Sequence, residues 1–373
     1  MIMGSTFKSL GVPEDLVKGV EELGIHTPTP IQEQAIPYLI NKGYDTLGQA
    51  QTGTGKTAAY GLPLLTRINP KVEGVQGLVV APTRELAKQV GKDLFRYTKY
   101  AEQKMFVEVC CGGDKLQVQR ERLKRPTQIV VGTPGRLAEL VEMGALSLKV
   151  VQYLVMDEAD EMLSMGFKKQ LHQIIKWCQG RRSTWVFSAT FPPAVDGLLR
   201  GAMSTDPKII QVSSRNTVNR DIIHRYHLCE KEQKDDFIYE FLSRQDEDRG
   251  IIFCRTKAGA TMLGKKLAQM DYEVDVITGE LTQQERDKVI RGFRKGRSQF
   301  IIATDMVARG IDIEGLAFVL HHQLPDQNEY YTHRAGRTGR AGNKGVSLVL
   351  VDSRDKRRLK QLEKEINVYF DEY

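Results

Sequence analysis

Short apolar runs recur along the chain, beginning with GLVVAPT at Gly77–Thr83 and continuing through QIVVGTP, VQYLVMDEAD and STWVFSAT, then RGIIFCRT, YEVDVITG, QFIIATD, FVLHHQLP and GVSLVLV. Between most of them lie longer polar stretches with helical spacing, such as RELAKQVGKDLFRYTKYA. Strands that alternate with helices cannot close as hairpins. They predict parallel sheets covered by helices on both faces. Polar residues follow the apolar runs, and open parallel sheets bind ligands beyond the carboxyl ends of their strands.

At 373 residues the chain exceeds what one core normally supports. The alternation breaks at STDPKIIQVSSRNT, residues 204–217, which is rich in Ser, Thr and Asn and reads as a linker. The expected division is an α/β domain over 1–212, a linker at 213–217 and a second α/β domain over 218–373.

No apolar run approaches the roughly 18 residues that span a membrane. The N-terminal MIMGSTFKSL has no basic head with a long apolar run, so no export signal is expected and the reading is a cytoplasmic protein. Five cysteines without a C-x-x-C pair fit reduced thiols, and the seven histidines show no ligand spacing for a side-chain metal site. The net charge of +7 admits an anionic partner. Its excess reads as thinly spread, with no polybasic tail, so a nucleic acid would need a shaped groove.

AQTGTGKT, Ala50–Thr57, follows a short possible strand, DTLG, and opens a helical pattern. It nearly spells the phosphate-binding pattern G-x-x-x-x-G-K-[ST], with Ala50 in the first place. In that geometry backbone N–H groups face the phosphates, Lys56 reaches the β and γ groups, and the Thr57 hydroxyl meets Mg²⁺. Gly53 and Gly55 keep the backbone permissive. A Gly/Thr-rich turn before a helix is the plain alternative.

Two further segments weigh against that alternative. DEAD, Asp157–Asp160, follows the strand-like YLVM, where Asp157 can support Mg²⁺ and Glu158 can orient or deprotonate water; alone it would read as a solvated face or a helix cap. HRAGRTGR, His333–Arg340, sets three arginines at intervals of three. They suit either a basic surface or the charge compensation that a γ-phosphate requires.

Together these segments resemble the DEAD-box RNA helicases, in motif order and over nearly the whole chain. GIHTPTPIQ, Gly24–Gln32, is similar to the family's adenine-reading segment, with Phe7 as its upstream aromatic and the Gln32 amide matching adenine N6 and N7. The family's phosphate loop itself begins with alanine, which places Ala50, Gln51, Thr52, Gly53, Thr54, Gly55, Lys56 and Thr57 at the nucleotide.

For RNA, the resemblance implies contacts from Pro82, Thr83 and Arg84, from Gly112 and Gly113, and from Thr133, Pro134, Gly135 and Arg136 in the first domain. In the second it implies Gln283, Arg286, Thr304, Asp305 and Arg309. Asp312 would meet the ribose. Ser188 and Thr190 of SAT, with His333, would couple nucleotide state to RNA engagement, and Arg337 and Arg340 would serve the γ-phosphate. The family often has histidine where Thr278 stands.

The implied fold is two RecA-like domains on a flexible linker. The implied activity is RNA-stimulated ATP hydrolysis that unwinds short duplexes or remodels RNA–protein complexes through domain closure. ATP and Mg²⁺ are the expected cofactors, RNA is held mainly by its backbone, and the protein is expected as a monomer, possibly with ribonucleoprotein or RNA-decay partners. An RNA clamp with minor turnover, a DNA-directed motor and a phosphotransferase are the competing readings. The last helical stretch, SRDKRRLKQLEKEI, reads as an amphipathic cover on the second domain.

Overall fold

The computed structural model describes residues 5–50, 53–191, 193–199, 202–212, 221–305, 313, 315–326, 328–339 and 344–373. The chain divides into two compact units, residues 1–212 and 213–373. The 213–217 linker falls outside the described residues.

Among the described residues the first unit is built on a seven-stranded parallel sheet: β1 Thr46–Gln49, β2 Gly77–Val80, β3 Val107–Cys110, β4 Ile129–Gly132, β5 Tyr153–Asp157, β6 Ser183–Ser188 and β7 Lys208–Gln211. The order across it is β3-β4-β2-β5-β6-β1-β7. Every residue of β2, β4, β5 and β6 is buried, because helices cover both faces. Val79, Val131 and Val155 point into one core with Tyr60 and Trp185, while Leu78, Val130, Leu154 and Met156 point into the other.

The helices begin where the residues demand. Gly55, at φ +84°, turns the chain into α3, Lys56–Arg67. Thr83 caps α4, Arg84–Tyr97, by accepting the Leu86 N–H. Pro134 stands in the first turn of α6, Pro134–Glu142, where its missing N–H costs nothing. Helix α5, Leu116–Leu123, joins β3 to β4, and α7, Ala159–Ser164, follows β5.

The second unit carries another seven-stranded parallel sheet among the described residues: β8 Ile222–Leu228, β9 Gly250–Cys254, β10 Val274–Ile277, β11 Phe300–Thr304, β12 Phe318–His321, β13 Gly345–Val351 and β14 Asp371–Glu372, ordered β10-β11-β9-β12-β13-β8-β14. The C-terminal helix, Lys356–Ile366, lays Leu359, Leu362 and Ile366 on this unit's core, the cover its sequence predicts.

The structure corrects the linker reading at one point: KIIQ, placed in the 204–217 linker, is β7 and pairs with β1. The strands β3 and β8 also lie outside the apolar runs. All three sit at or next to a sheet edge and are partly exposed, so none is continuously apolar. All five cysteines are buried and unpaired. Among the described residues no helix is long and apolar enough to cross a membrane.

Candidate nucleotide and nucleic-acid sites

The order of the first sheet sorts the expected site residues into two halves. The phosphate loop, Asp157 and Ser188 stand at the carboxyl ends of β1, β5 and β6, which are neighbours. Thr83, Gly112 and Thr133 follow β2, β3 and β4, which form the other half.

In the nucleotide half, Lys56 is buried and its Nζ donates to the Ala50 carbonyl at 3.0 Å, so the ammonium folds back over its own loop. The Thr29 hydroxyl donates to the Thr54 carbonyl at 2.8 Å, and Gln32 Nε2 donates to the Gly55 carbonyl at 3.0 Å. Gln32 Oε1 accepts the Thr29 N–H at 2.9 Å. The amide expected at adenine thus fastens the phosphate loop, with one N–H and one lone pair left over. A Cβ on Gly55 would lie 2.3 Å from Gln32 Nε2, so this close approach requires glycine. Gln51 and Thr52 lie outside the described residues.

Phe7, expected as the upstream aromatic beside the adenine, has its ring 1% exposed within the hydrophobic core.

Asp157 ends β5 with its carboxylate buried. The Tyr60 hydroxyl donates to Oδ2 at 2.8 Å, while Oδ1 is buried without a hydrogen-bond partner among the described residues. Burial pushes this carboxyl up to about 6, against the pull of the Lys56 charge. Glu158 follows in the left-handed region, at φ 53° and ψ 55°, with its N–H bonded to the Phe187 carbonyl at 2.8 Å. Left-handed backbone on a non-glycine residue is costly and concentrates at functional sites.

Asp160 closes the DEAD quartet onto SAT. Its Oδ2 accepts from the Thr190 N–H at 3.0 Å and the Thr190 hydroxyl at 2.7 Å, and its own N–H donates to Ser188 Oγ at 3.3 Å. The sequence reading singled out neither Asp160 nor Tyr60 as a partner. The signal for Tyr60 was its place one turn past Lys56 on α3, facing the core.

Asp157 Oδ1, buried with no hydrogen-bond partner among the described residues, and the Thr57 hydroxyl are hard oxygen donors. They fit Mg²⁺, which takes one or two such ligands beside nucleotide phosphates.

In the other half, Arg84 lies against Gly112, its Nη2 3.1 Å from where a Cβ would stand, and Gly113 has φ +84°. Thr133 is buried at the start of α6 between Cys110 and Pro134. Pro82 precedes Thr83 in the turn after β2, and Gly135 lies in the first turn of α6. Arg136 is tied inward: Nη1 donates to Gln119 Oε1 at 2.8 Å and to the Cys111 and Asp114 carbonyls at 3.2 Å, and Nε donates to Glu139 at 2.9 Å.

The second unit gathers a different set. Thr304 ends β11 and is buried, and Asp305 follows it. Asp305, expected at RNA, takes both oxygens to Arg334, Oδ1 to Nε at 2.5 Å and Oδ2 to Nη2 at 2.6 Å. Its role in the structure is to hold that buried guanidinium, which also lies 5.1 Å from the Phe253 ring centroid.

From Arg334 a buried relay runs inward: Nη1 to His321 Nδ1 at 3.3 Å, His321 Nε2 to Ser347 Oγ at 3.0 Å, Ser347 to Tyr331 OH at 2.9 Å, and Tyr331 OH to His224 Nδ1 at 2.5 Å. Since Arg334 can only donate, His321 Nδ1 accepts and the proton sits on Nε2. Burial and the Arg334 charge hold His321 well below the usual histidine range.

Arg337 is buried just past the helix Asn328–Ala335, which carries half-buried His333 in its last turn. Arg286 Nε is buried without a hydrogen-bond partner among the described residues. Gln283 opens the helix α12, Gln283–Arg294, behind the capping box of Thr282 and Glu285. The Gln283 side chain, Arg309, Asp312 and Arg340 lie outside the described residues. Thr278 is buried.

The chain matches the family model "DEAD/DEAH box helicase" over residues 29–198 and "Helicase conserved C-terminal domain" over 233–342. It is 39% identical over 96% of its length to the DEAD-box ATP-dependent RNA helicase CshA of Bacillus cereus, covering 68% of that protein. It is likewise 39% identical over 97% of its length to the ATP-dependent RNA helicase DbpA of Bacillus subtilis, covering 75% of it. Among solved structures it resembles S. cerevisiae Dbp5 bound to RNA and ADP BeF3, at TM-score 0.87 and 32% identity, over 99% of this chain and 95% of that one. Both units are RecA-like, and the chain belongs to the DEAD-box RNA helicase family.

Proposed function

We propose that this chain is an RNA-stimulated ATPase that separates short RNA duplexes or remodels RNA–protein complexes, with its two domains acting across residues 213–217. The observation that carries the reading is the sorted first sheet, in which a phosphate loop and the Asp157–Glu158 pair share one half while the strand ends of the other half gather Arg84, Gly112, Gly113 and Thr133. The likeness to a relative bound to RNA and ADP BeF3 supports it.

Lys56 would leave the Ala50 carbonyl for the β and γ phosphates, and the loop N–H groups would cradle them. Asp157 and Thr57 would hold Mg²⁺, whose contribution is to neutralise phosphate charge. Glu158, fixed by its strained backbone, would orient and deprotonate the attacking water. Arg337 and Arg340 would compensate the γ-phosphate charge from the second domain when ATP and RNA together favour closure. Asp160 would pass the nucleotide state to RNA through Thr190 and Ser188.

Contacts to phosphate and ribose would give little sequence preference. A reducing, cytoplasmic setting is supported by five buried unpaired thiols. Action as a monomer, with ribonucleoprotein partners, belongs to the same reading.

The test is ATP turnover with and without oligoribonucleotide and oligodeoxyribonucleotide. RNA alone should stimulate it, Arg340→Ala should nearly abolish it while sparing ATP binding, and Glu158→Gln should trap ATP and RNA together. Turnover indifferent to RNA would overturn the reading.

A further inference from the structure

Helix α5 has no apolar face to justify it. Its one fully buried residue is Gln119, and only Leu116 and Leu123, near its ends, lean on the core, while Val118 is 43% exposed. Eight residues are too few to hold a helix in water unaided.

What holds it is a polar mount. Gln119 Nε2 donates to the Cys111 carbonyl at 2.8 Å, and Arg136 Nη1 bonds both Gln119 Oε1 and that carbonyl. The helix is thereby locked in register to the Cys111–Asp114 turn that bears Gly112 and Gly113. A polar helix so mounted serves a surface rather than a core.

Its charge says what that surface meets. Residues 115–125, KLQVQRERLKR, hold five basic side chains and one acidic, a net +4 of the chain's +7. The excess that reads as thinly spread along the sequence is therefore concentrated. Arg122 and Lys124 are partly compensated by Glu108 and Glu121, at 3.4 and 2.7 Å. Lys115, Arg120 and Arg125 are exposed and form no salt bridge among the described residues.

We propose that α5 and the residues that flank it form a second RNA-contact surface. It takes the phosphates of the strand beyond the Gly112–Gly113 turn, independent of sequence, through Lys115, Arg120 and Arg125. The inference rests on the RNA reading above and adds to it where flanking RNA runs. Charge complementarity and continuity with the turn favour a ribose-phosphate backbone as the occupant.

The test uses the full chain with Lys115→Gln, Arg120→Gln and Arg125→Gln combined, and two fluorescein-labelled probes: a short oligouridylate that just saturates the parent's turnover, and the same oligomer with a long tail at either end. The variant should bind the short probe and turn over ATP as the parent does. For one tailed probe its affinity should fall about tenfold near physiological salt, and the slope of log affinity against log salt should flatten by about 2, at roughly 0.7 per lost single-strand contact.

Arg120→Lys with Arg125→Lys keeps the charge and should behave as the parent. A tailed-probe affinity and slope equal to the parent's would overturn the proposal with the RNA reading intact. A parent that binds neither probe would overturn both. Thermal midpoints of all variants should agree, because the altered side chains are exposed, and a lower midpoint with equal loss on both probes would make α5 a structural element instead.

Discussion

The Tyr60 hydroxyl donates a hydrogen bond to Asp157 Oδ2 at 2.8 Å, deep enough that the ring is fully covered, and the other carboxylate oxygen has no partner among the described residues. Tyr60→Phe would leave both buried oxygens unsatisfied, at a cost of about 1–3 kcal/mol. The bond favours the ionised carboxyl, whose folded value is pushed up to about 6 by burial. Folding therefore draws protons onto Asp157, and stability from this group declines as pH rises from its unfolded value toward 6. The Phe variant should lose more stability at pH 8, where the carboxyl is charged, than at pH 5. Urea midpoints of the first domain at the two pH values check this; equal losses would mean the bond does not discriminate charge.

The bidentate pair of Asp305 with buried Arg334 predicts an asymmetric pair of mutants. Asp305→Ala strands a guanidinium in the interior and should cost about 3–5 kcal/mol in the second domain. Replacing Arg334 with Met as well should recover part of that loss, since the unpaired charge goes with it. Denaturant melts of the single and double variants decide, and a double variant weaker than the single would remove the ion pair from the explanation.

His224 and His321 predict acid sensitivity of the second domain. Burial lowers His224 to about 4, and burial with the Arg334 charge holds His321 well below its usual range, so both are neutral when folded and protonate near the usual histidine value when unfolded. Their contribution is present above about pH 6.5 and is lost as pH falls toward 4, by up to about 3 kcal/mol for His224. His224→Phe should flatten the stability profile across that window, read by urea unfolding. An unchanged profile would show that His224 does not titrate on unfolding.

Gly345→Ala should disrupt the turn after the helix Asn328–Ala335, which carries Arg337. Its Cβ would stand 1.8 Å from the Thr338 hydroxyl oxygen, which cannot retreat because it donates to the Leu316 carbonyl. A loss above about 3 kcal/mol is expected from such overpacking combined with a strained bond. Thr338→Ser together with Gly345→Ala should not rescue it, since the oxygen remains; Thr338→Ala should partly do so.

The central strands were legible because burial on both faces forces continuous apolar runs, as in GLVV and IVVG. Edge strands such as KIIQ carry exposed residues and so resemble loop. At the site, Lys56 and Asp157 stood out by spacing, whereas Tyr60, Asp160 and Gln119 act through helix register and burial that no local pattern displays. Phe7 packs in the core, a placement its position ahead of the first helix does not display. In HRAGRTGR the regular spacing makes three arginines equivalent, and only the partner Asp305 sets Arg334 apart as an internal strut.

The five buried thiols turn each domain into its own clock. Cys110, Cys178 and Cys254 are pushed up to about 12 and Cys111 to about 11 by burial, so a thiol-reactive dye at neutral pH should find the folded protein silent. Labelling would then proceed only as fast as a domain opens, with Cys110, Cys111 and Cys178 timing the first and Cys229 and Cys254 the second. Mass spectrometry of modified peptides would thus register, without any engineered probe, which half of the enzyme breathes first when nucleotide is withdrawn.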